Sequence, residues 1–158
     1  MPTPVDVTTP SDREIVVKRS FDAPRSLIWD CHTKPELMKR WLLGQPGWTM
    51  PVCEVDLRVG GAYRFRWSDG QGHEFGSQGE HLEIVAPERL VTSEKTEGFD
   101  GASTNTLVLT EEDGKTLLTM TMVFPTKEVR DAALQSGMAD GMAMSYDRLQ
   151  EIADEKVG

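Results

Sequence analysis

The sequence predicts an α+β protein in which a curved antiparallel sheet packs on one long C-terminal helix. Three observations carry this. Apolar and polar residues alternate through consecutive short segments between Val52 and Phe124, which is the period of a strand. Glycine-bearing turns separate those segments, so the strands follow one another as an antiparallel meander. After Pro125 the apolar period becomes 3.6 and persists over residues 126–155.

The elements follow in order. Residues 1–12, "MPTPVDVTTPSD", hold three prolines and little apolar mass and read as a disordered tail. A single domain is expected over residues 13–158. "REIVVKRSF" is β-branched and reads as the first strand. "DAPRSLIWDCHT" reads as a helix capped by Asp22, with Pro24 in its first turn and Leu27, Ile28 and Cys31 at helical spacing. "KPELMKRWLL" reads as a second short helix that ends before Gly44, with Leu37, Met38, Trp41 and Leu42 on one side.

Six strands are then expected. In "VCEVDLRV", Cys53, Val55, Leu57 and Val59 share one face, and Gly60-Gly61 makes the hairpin turn into "AYRFRW". In "HEFGSQGEHLEIV", Phe75, Ser77, Gly79 and His81 share a face before Leu82 and Ile84 change phase. That slip predicts a bulge near Gly79. "ERLVTSEKT" and "STNTLVLTEE" follow, and "EDGK" turns into "TLLTMTMVF", which aligns Leu118, Met120, Met122 and Phe124. Thr126 is the predicted N-cap of the last helix, whose stripe runs through Met138, Gly141 or Met142, Ser145, Leu149 and Ile152. The expected order is β-α-α-β6-α.

Composition narrows the function classes. The chain has 158 residues, 38% apolar and 27% charged, which suits an ordinary globular domain with its own core. A net charge of −9 disfavours nucleic acid and anionic membrane surfaces as partners. No apolar run approaches the length of a membrane span, and no secretory pattern opens the chain, so a cytoplasmic location is expected. Cys31 and Cys53 belong to no C-x-x-C and are expected as thiols in a reducing compartment, with one disulfide as the alternative. The three histidines have no metal-ligand spacing, and neither a metal nor a cofactor is expected.

The stretch "VGGAYRFRW" raises the functional question. Tyr63, Phe65 and Trp67 alternate with Ala62, Arg64 and Arg66, giving one aromatic and one basic face. On the basic face, Arg58, Arg64 and Arg66 are expected to pair with Glu54 and Asp56 across the hairpin. The aromatic face either packs shut or lines a ligand pocket together with Trp41, Trp48, Phe75, Met120, Met122, Phe124, Met138 and Met142. His81 is the candidate polar anchor or general base. Ser145 and Tyr146 read as packing residues.

At "FDAPRSLIWDCHTKPELMKRW", "RVGGAYRFRW", "ERL" and "GMADGMAMSYDRLQEI" the sequence resembles the activator-of-heat-shock-protein-90-ATPase-like branch of the START-like (SRPBCC, Bet v 1-like) superfamily. The resemblance spans about residues 13–153 and rests on the joint order of motifs that are individually weak. It implies a helix-grip fold, in which the sheet wraps the last helix and a cavity for an apolar ligand lies between them. It also marks two departures: Met142 where relatives often carry tryptophan, and His81 where tyrosine or valine is common.

Three functions are consistent with that resemblance. The first is binding of a small hydrophobic or amphipathic molecule. The second is a cyclase- or hydratase-type enzyme that uses His81 in the same cavity. The third is a chaperone ATPase regulator or stress-response interaction domain. A homodimer through the sheet edge or outer face is the more expected protein contact. The pocket is expected to hold a few hundred Å³, walled by Trp41, Tyr63, Phe65, Trp67, His81, Met120, Met122, Met138 and Met142.

Overall fold

The computed structural model describes residues 5–157. Among them one antiparallel sheet of eight strands runs in the order β1-β2-β8-β7-β6-β5-β4-β3. The strands are β1 (Asp6–Thr8), β2 (Glu14–Phe21), β3 (Thr49–Val55), β4 (Ala62–Ser68), β5 (Glu74–Val85), β6 (Arg89–Thr96), β7 (Ser103–Glu112) and β8 (Lys115–Val123). Strands β3 to β8 form the expected meander, and β2 joins it by pairing with β8. Helices α1 (Arg25–Thr33) and α2 (Pro35–Trp41) carry the chain from β2 to the opposite edge of the sheet. The C-terminal segment lies across the concave face, as the α+β helix-grip expectation requires.

The core has a simple origin. Alternation sends Ile15, Val17 and Phe21 of β2, Leu107 and Leu109 of β7, and Leu118 of β8 to the inner face. Helical spacing delivers Ile28, Cys31, Trp41, Leu149 and Ile152 onto them from the other side.

The structure corrects several expectations. Within the segment read as a tail, Asp6–Thr8 is strand β1, in register with Val16, Val17 and Lys18 of β2. The buried Arg130 fastens the same segment by donating from Nη1 to the carbonyl of Ser11 at 2.8 Å. Residues 1–4 of that expectation lie outside the described residues.

Helix α1 begins at Arg25 with Pro24 as its N-cap, and Asp22 makes no cap. Strand β3 stops at Val55, so Leu57 and Val59 lie exposed in a loop, not on the inner face. The chain slips register at Thr49–Val52, around Pro51, where the proline's missing N–H costs no ladder bond.

The bulge lies later than predicted. Gly79 stays in regular register with Tyr63, and the extra residue falls between His81 and Glu83. Gly79 answers a different demand: a Cβ there would collide with the Ser93 carbonyl and crowd the Tyr63 ring.

The single long helix is two. Thr126 caps α3 (Lys127–Gln135) as predicted, accepting from the Val129 amide at 3.1 Å. The chain then turns at Gly137, whose φ of +85° only glycine adopts readily, and resumes as α4 (Met138–Val157). Periodicity survives the break, which hides it from the sequence pattern.

Candidate functional site

Between α4 and the concave face lies a cavity of about 230 Å³. Tyr63 and Phe65 of β4, Leu90 of β6, Leu107 of β7, and Met120 and Met122 of β8 supply its apolar floor. Met142 and Tyr146 of α4 form its roof, and His32, Met38 and Trp41 from α1 and α2 close one end. Seven of the twelve residues expected at a ligand site line it: Trp41, Tyr63, Phe65, His81, Met120, Met122 and Met142.

The remaining five lie elsewhere. Phe124 and Met138 line a separate cavity of about 180 Å³ beside the α3–α4 break, which shares only Glu94 and Met122 with the first. Trp67 is held away because its indole N–H donates to the Leu42 carbonyl at 2.7 Å. There it stacks on Phe75 with ring centroids 4.9 Å apart, and Trp48 meets Phe75 edge-on at 5.5 Å. These three rings cluster at the β3 end of the sheet outside the cavity, where Trp67 also meets the cavity-lining Phe65 edge-on at 5.9 Å. Gly141 also departs from expectation: it faces Gly44 of the α2–β3 loop, not the sheet. The Gly44 amide donates to Ser145 Oγ at 2.9 Å, which ties that loop to α4.

The polar groups in the wall are arranged in two sets. A row crosses the sheet in register, His81 opposite Thr92 and Thr92 opposite Asn105, all lining the cavity. His81 is buried, and its Nδ1 lies 3.1 Å from the Gly61 carbonyl. A carbonyl only accepts, so Nδ1 carries a proton and donates it to Gly61.

His32, on α1, repeats the pattern. Its Nδ1 donates to the Ile28 carbonyl at 2.8 Å. Its Nε2 is buried with no hydrogen-bond partner among the described residues, as is Oδ1 of Asn105. Burial pushes the His32 imidazole down to about 4, against a weaker upward pull from the Ile28 carbonyl.

Two tyrosines add hydroxyls of different standing. Tyr63 donates to the Ser93 carbonyl at 2.6 Å, and burial, reinforced by the charge of Glu94, holds it protonated well above the ordinary range. Burial does the same to Tyr146. Glu94, whose Oε2 accepts from Ser77 Oγ at 3.0 Å, is the one acid in the wall among the described residues, and no lysine or arginine among them lines it.

His32, Asn105 and Tyr146 were missed as site residues, although the sequence carried a signal for each. His32 follows Ile28 by four residues and so shares the buried stripe of α1. Asn105 is in phase with Leu107 and Leu109, and Tyr146 follows Met142 by four.

The basic face is exposed and ion-paired. Arg66 binds Glu97 at 2.8 Å and nears Glu74 at 3.9 Å, while Arg64 reaches Glu54 at 4.0 Å and Arg58 reaches Asp56 at 2.8 Å. Only the Arg64–Glu54 pair crosses the hairpin as expected; Arg58 takes Asp56 two residues earlier in the same loop, and Arg66 uses glutamates from β5 and the β6–β7 loop. Both cysteines are free, and burial pushes each thiol up to about 11. Among the described residues no cluster of metal-binding side chains occurs, and no helix is long and apolar enough to cross a membrane.

A curved sheet gripping a C-terminal helix over an internal cavity defines a START-like, helix-grip protein. Residues 22–154 match the family described as Activator of Hsp90 ATPase homolog 1-like protein, and the chain belongs to that family. The fold is shared with a crystal structure from Rhodobacter sphaeroides at 29% identity and TM-score 0.91, covering 97% of this chain and 99% of that one. A crystal structure from Nitrosomonas europaea matches at 24% identity and TM-score 0.84, covering 94% and 99%. The solution structure of an AHSA1-like protein from Aeromonas hydrophila matches at 19% and 0.75, covering 88% and 93%. No curated protein matches the sequence.

Proposed function

We propose that this protein binds a small hydrophobic or amphipathic molecule in the cavity between α4 and the sheet. The observation that carries the reading is the cavity wall itself: methionine, leucine and aromatic side chains around about 230 Å³, with a few polar atoms at fixed places. Empty space of that size forfeits dispersion contacts, so a domain selected for packing alone has reason to close it. Methionines at 120, 122 and 142 suit a wall that adapts to its guest. The family supports the same class of function, because its fold hosts ligand-binding domains.

A proton-transfer role for His81 finds less support. Its Nδ1 is engaged by Gly61, and the neighbouring Tyr63, whose ring centroid lies 5.7 Å from that of His81, has its hydroxyl committed to Ser93 and held protonated.

Native mass spectrometry of the purified protein against a panel of small apolar and amphipathic molecules tests the reading. It predicts at least one complex of one ligand per chain that saturates. A panel in which nothing binds overturns it.

A further inference from the structure

The two histidines of the cavity share a hydrogen-bonding pattern at Nδ1. Each has its Nδ1 proton drawn to a backbone carbonyl, Ile28 for His32 and Gly61 for His81. On His32, which burial keeps neutral, this leaves an acceptor at Nε2. That acceptor is buried and has no partner among the described residues, and the same holds for Oδ1 of Asn105 on the facing sheet; neither atom opens onto the empty cavity, so a guest reaches them by displacing the side chains that cover them. An unpaired buried acceptor costs on the order of 1–3 kcal/mol, so a ligand group that donates to it recovers a penalty already present in the fold.

The charges in the wall act in the same direction. Among the described residues Glu94 is the one acid that lines the cavity, and no lysine or arginine lines it to receive an anion. Hydroxyls of Thr92 and Tyr146 can donate but carry no compensating positive charge. A carboxylate entering this space would lose its hydration beside Glu94 without gaining an ion pair, and desolvating an unpaired charge is among the largest penalties available. Burial also opposes protonation of His32, so the ring does not become the missing cation.

We propose that the cavity selects neutral hydroxylated ligands, a phenol or alcohol whose O–H donates to His32 Nε2 with Asn105 as a second polar contact, and rejects carboxylates of the same shape. This rests on the binding reading above and adds the ligand class. His32 is then the specificity residue, in place of the His81 to which the sequence pointed.

Three probes of one shape test it: 2-naphthol, 2-naphthoate and 2-methylnaphthalene, titrated at pH 7.5 and followed by tryptophan fluorescence and calorimetry. The naphthol is expected to bind the wild type at least about ten-fold more tightly than the naphthoate. His32→Phe is expected to lower the naphthol-to-methylnaphthalene affinity ratio about ten-fold, the effect of one good hydrogen bond. In the wild type, the ¹⁵N resonance of His32 Nε2 should shift on adding naphthol and not on adding methylnaphthalene. That measurement, like the naphthoate comparison, needs no variant to fold.

A carboxylate that binds as tightly as the phenol, or an unmoved Nε2 resonance at saturation, overturns the selectivity and leaves the binding reading intact. If none of the three probes binds, the selectivity falls, and the failure lies with the cavity as a binding site.

Discussion

The His32 imidazole stands edge-on to the Trp41 indole, ring centroids 4.8 Å apart, and Trp41 in turn stacks on Tyr146 at 5.9 Å. Three rings from α1, α2 and α4 thus form one end of the cavity. Trp41 is fixed there because its indole N–H donates to the Cys31 carbonyl at 2.8 Å. The helices between β2 and β3 are therefore part of the site as well as a connection across the sheet.

This placement makes stability depend on pH. His32 titrates at about 4 when folded and at 6.5 in an ordinary peptide, so the unfolded chain takes up the proton first as pH falls. The stability is fully present above about pH 6.5 and declines through the window down to about pH 4, by up to roughly 3 kcal/mol. Urea unfolding at pH 7 and pH 4.5 should show a smaller loss in His32→Phe than in the wild type. Equal losses in the two proteins would contradict the assignment.

Met142→Trp should fill the roof of the cavity. The expected outcome is a loss of at least about ten-fold in affinity for a hydrophobic probe such as N-phenyl-1-naphthylamine, with unchanged far-UV circular dichroism. Unchanged probe affinity would mean that the probe binds elsewhere.

The sequence made the meander, the two short helices and the inner-face alternation legible because each rests on a period that side-chain burial enforces over several residues. Of the seven expected residues that line the cavity, Tyr63, Phe65, His81, Met120 and Met122 follow from that alternation, and Trp41 and Met142 from helical spacing. What it could not reveal depends on single contacts. Trp67 has the right phase, yet one hydrogen bond to Leu42 draws it out of the cavity. Gly137 breaks a helix without disturbing its stripe. Strand β1 is too short and too polar to show a period, and the link that returns it to β2 is fastened at Ser11 by Arg130, more than a hundred residues away in sequence. His32 was legible by spacing from Ile28, but its empty acceptor was not, because that depends on how three helices meet.

Gly79→Ala should be costly despite the small change. The added methyl would press into the Ser93 carbonyl and the Tyr63 ring, within the floor of the cavity. Overpacking of this kind costs typically about 1–3 kcal/mol, so the denaturation midpoint should fall measurably. A midpoint matching the wild type would show that the β4–β6 approach is looser than described.

Arg130→Ala should free the N-terminal segment. The guanidinium holds the Ser11 carbonyl at 2.8 Å and reaches that of Glu14 at 3.3 Å. Hydrogen exchange of the Asp6–Thr8 amides is expected to accelerate by about ten-fold or more, while amides of the β7–β8 ladder keep their protection. Uniform acceleration, or none in β1, would contradict a local tether.

The central claim is that a guest sits between α4 and the sheet, and methionine methyl NMR tests it most directly. Met120, Met122 and Met142 line the cavity, and Met50 is buried on β3 outside it. With ¹³C-methyl methionine and any ligand that forms a saturable complex, the account predicts that the first three resonances shift together along one binding curve. Met50 should stay in place. A saturating ligand that leaves Met120, Met122 and Met142 unmoved would contradict the account.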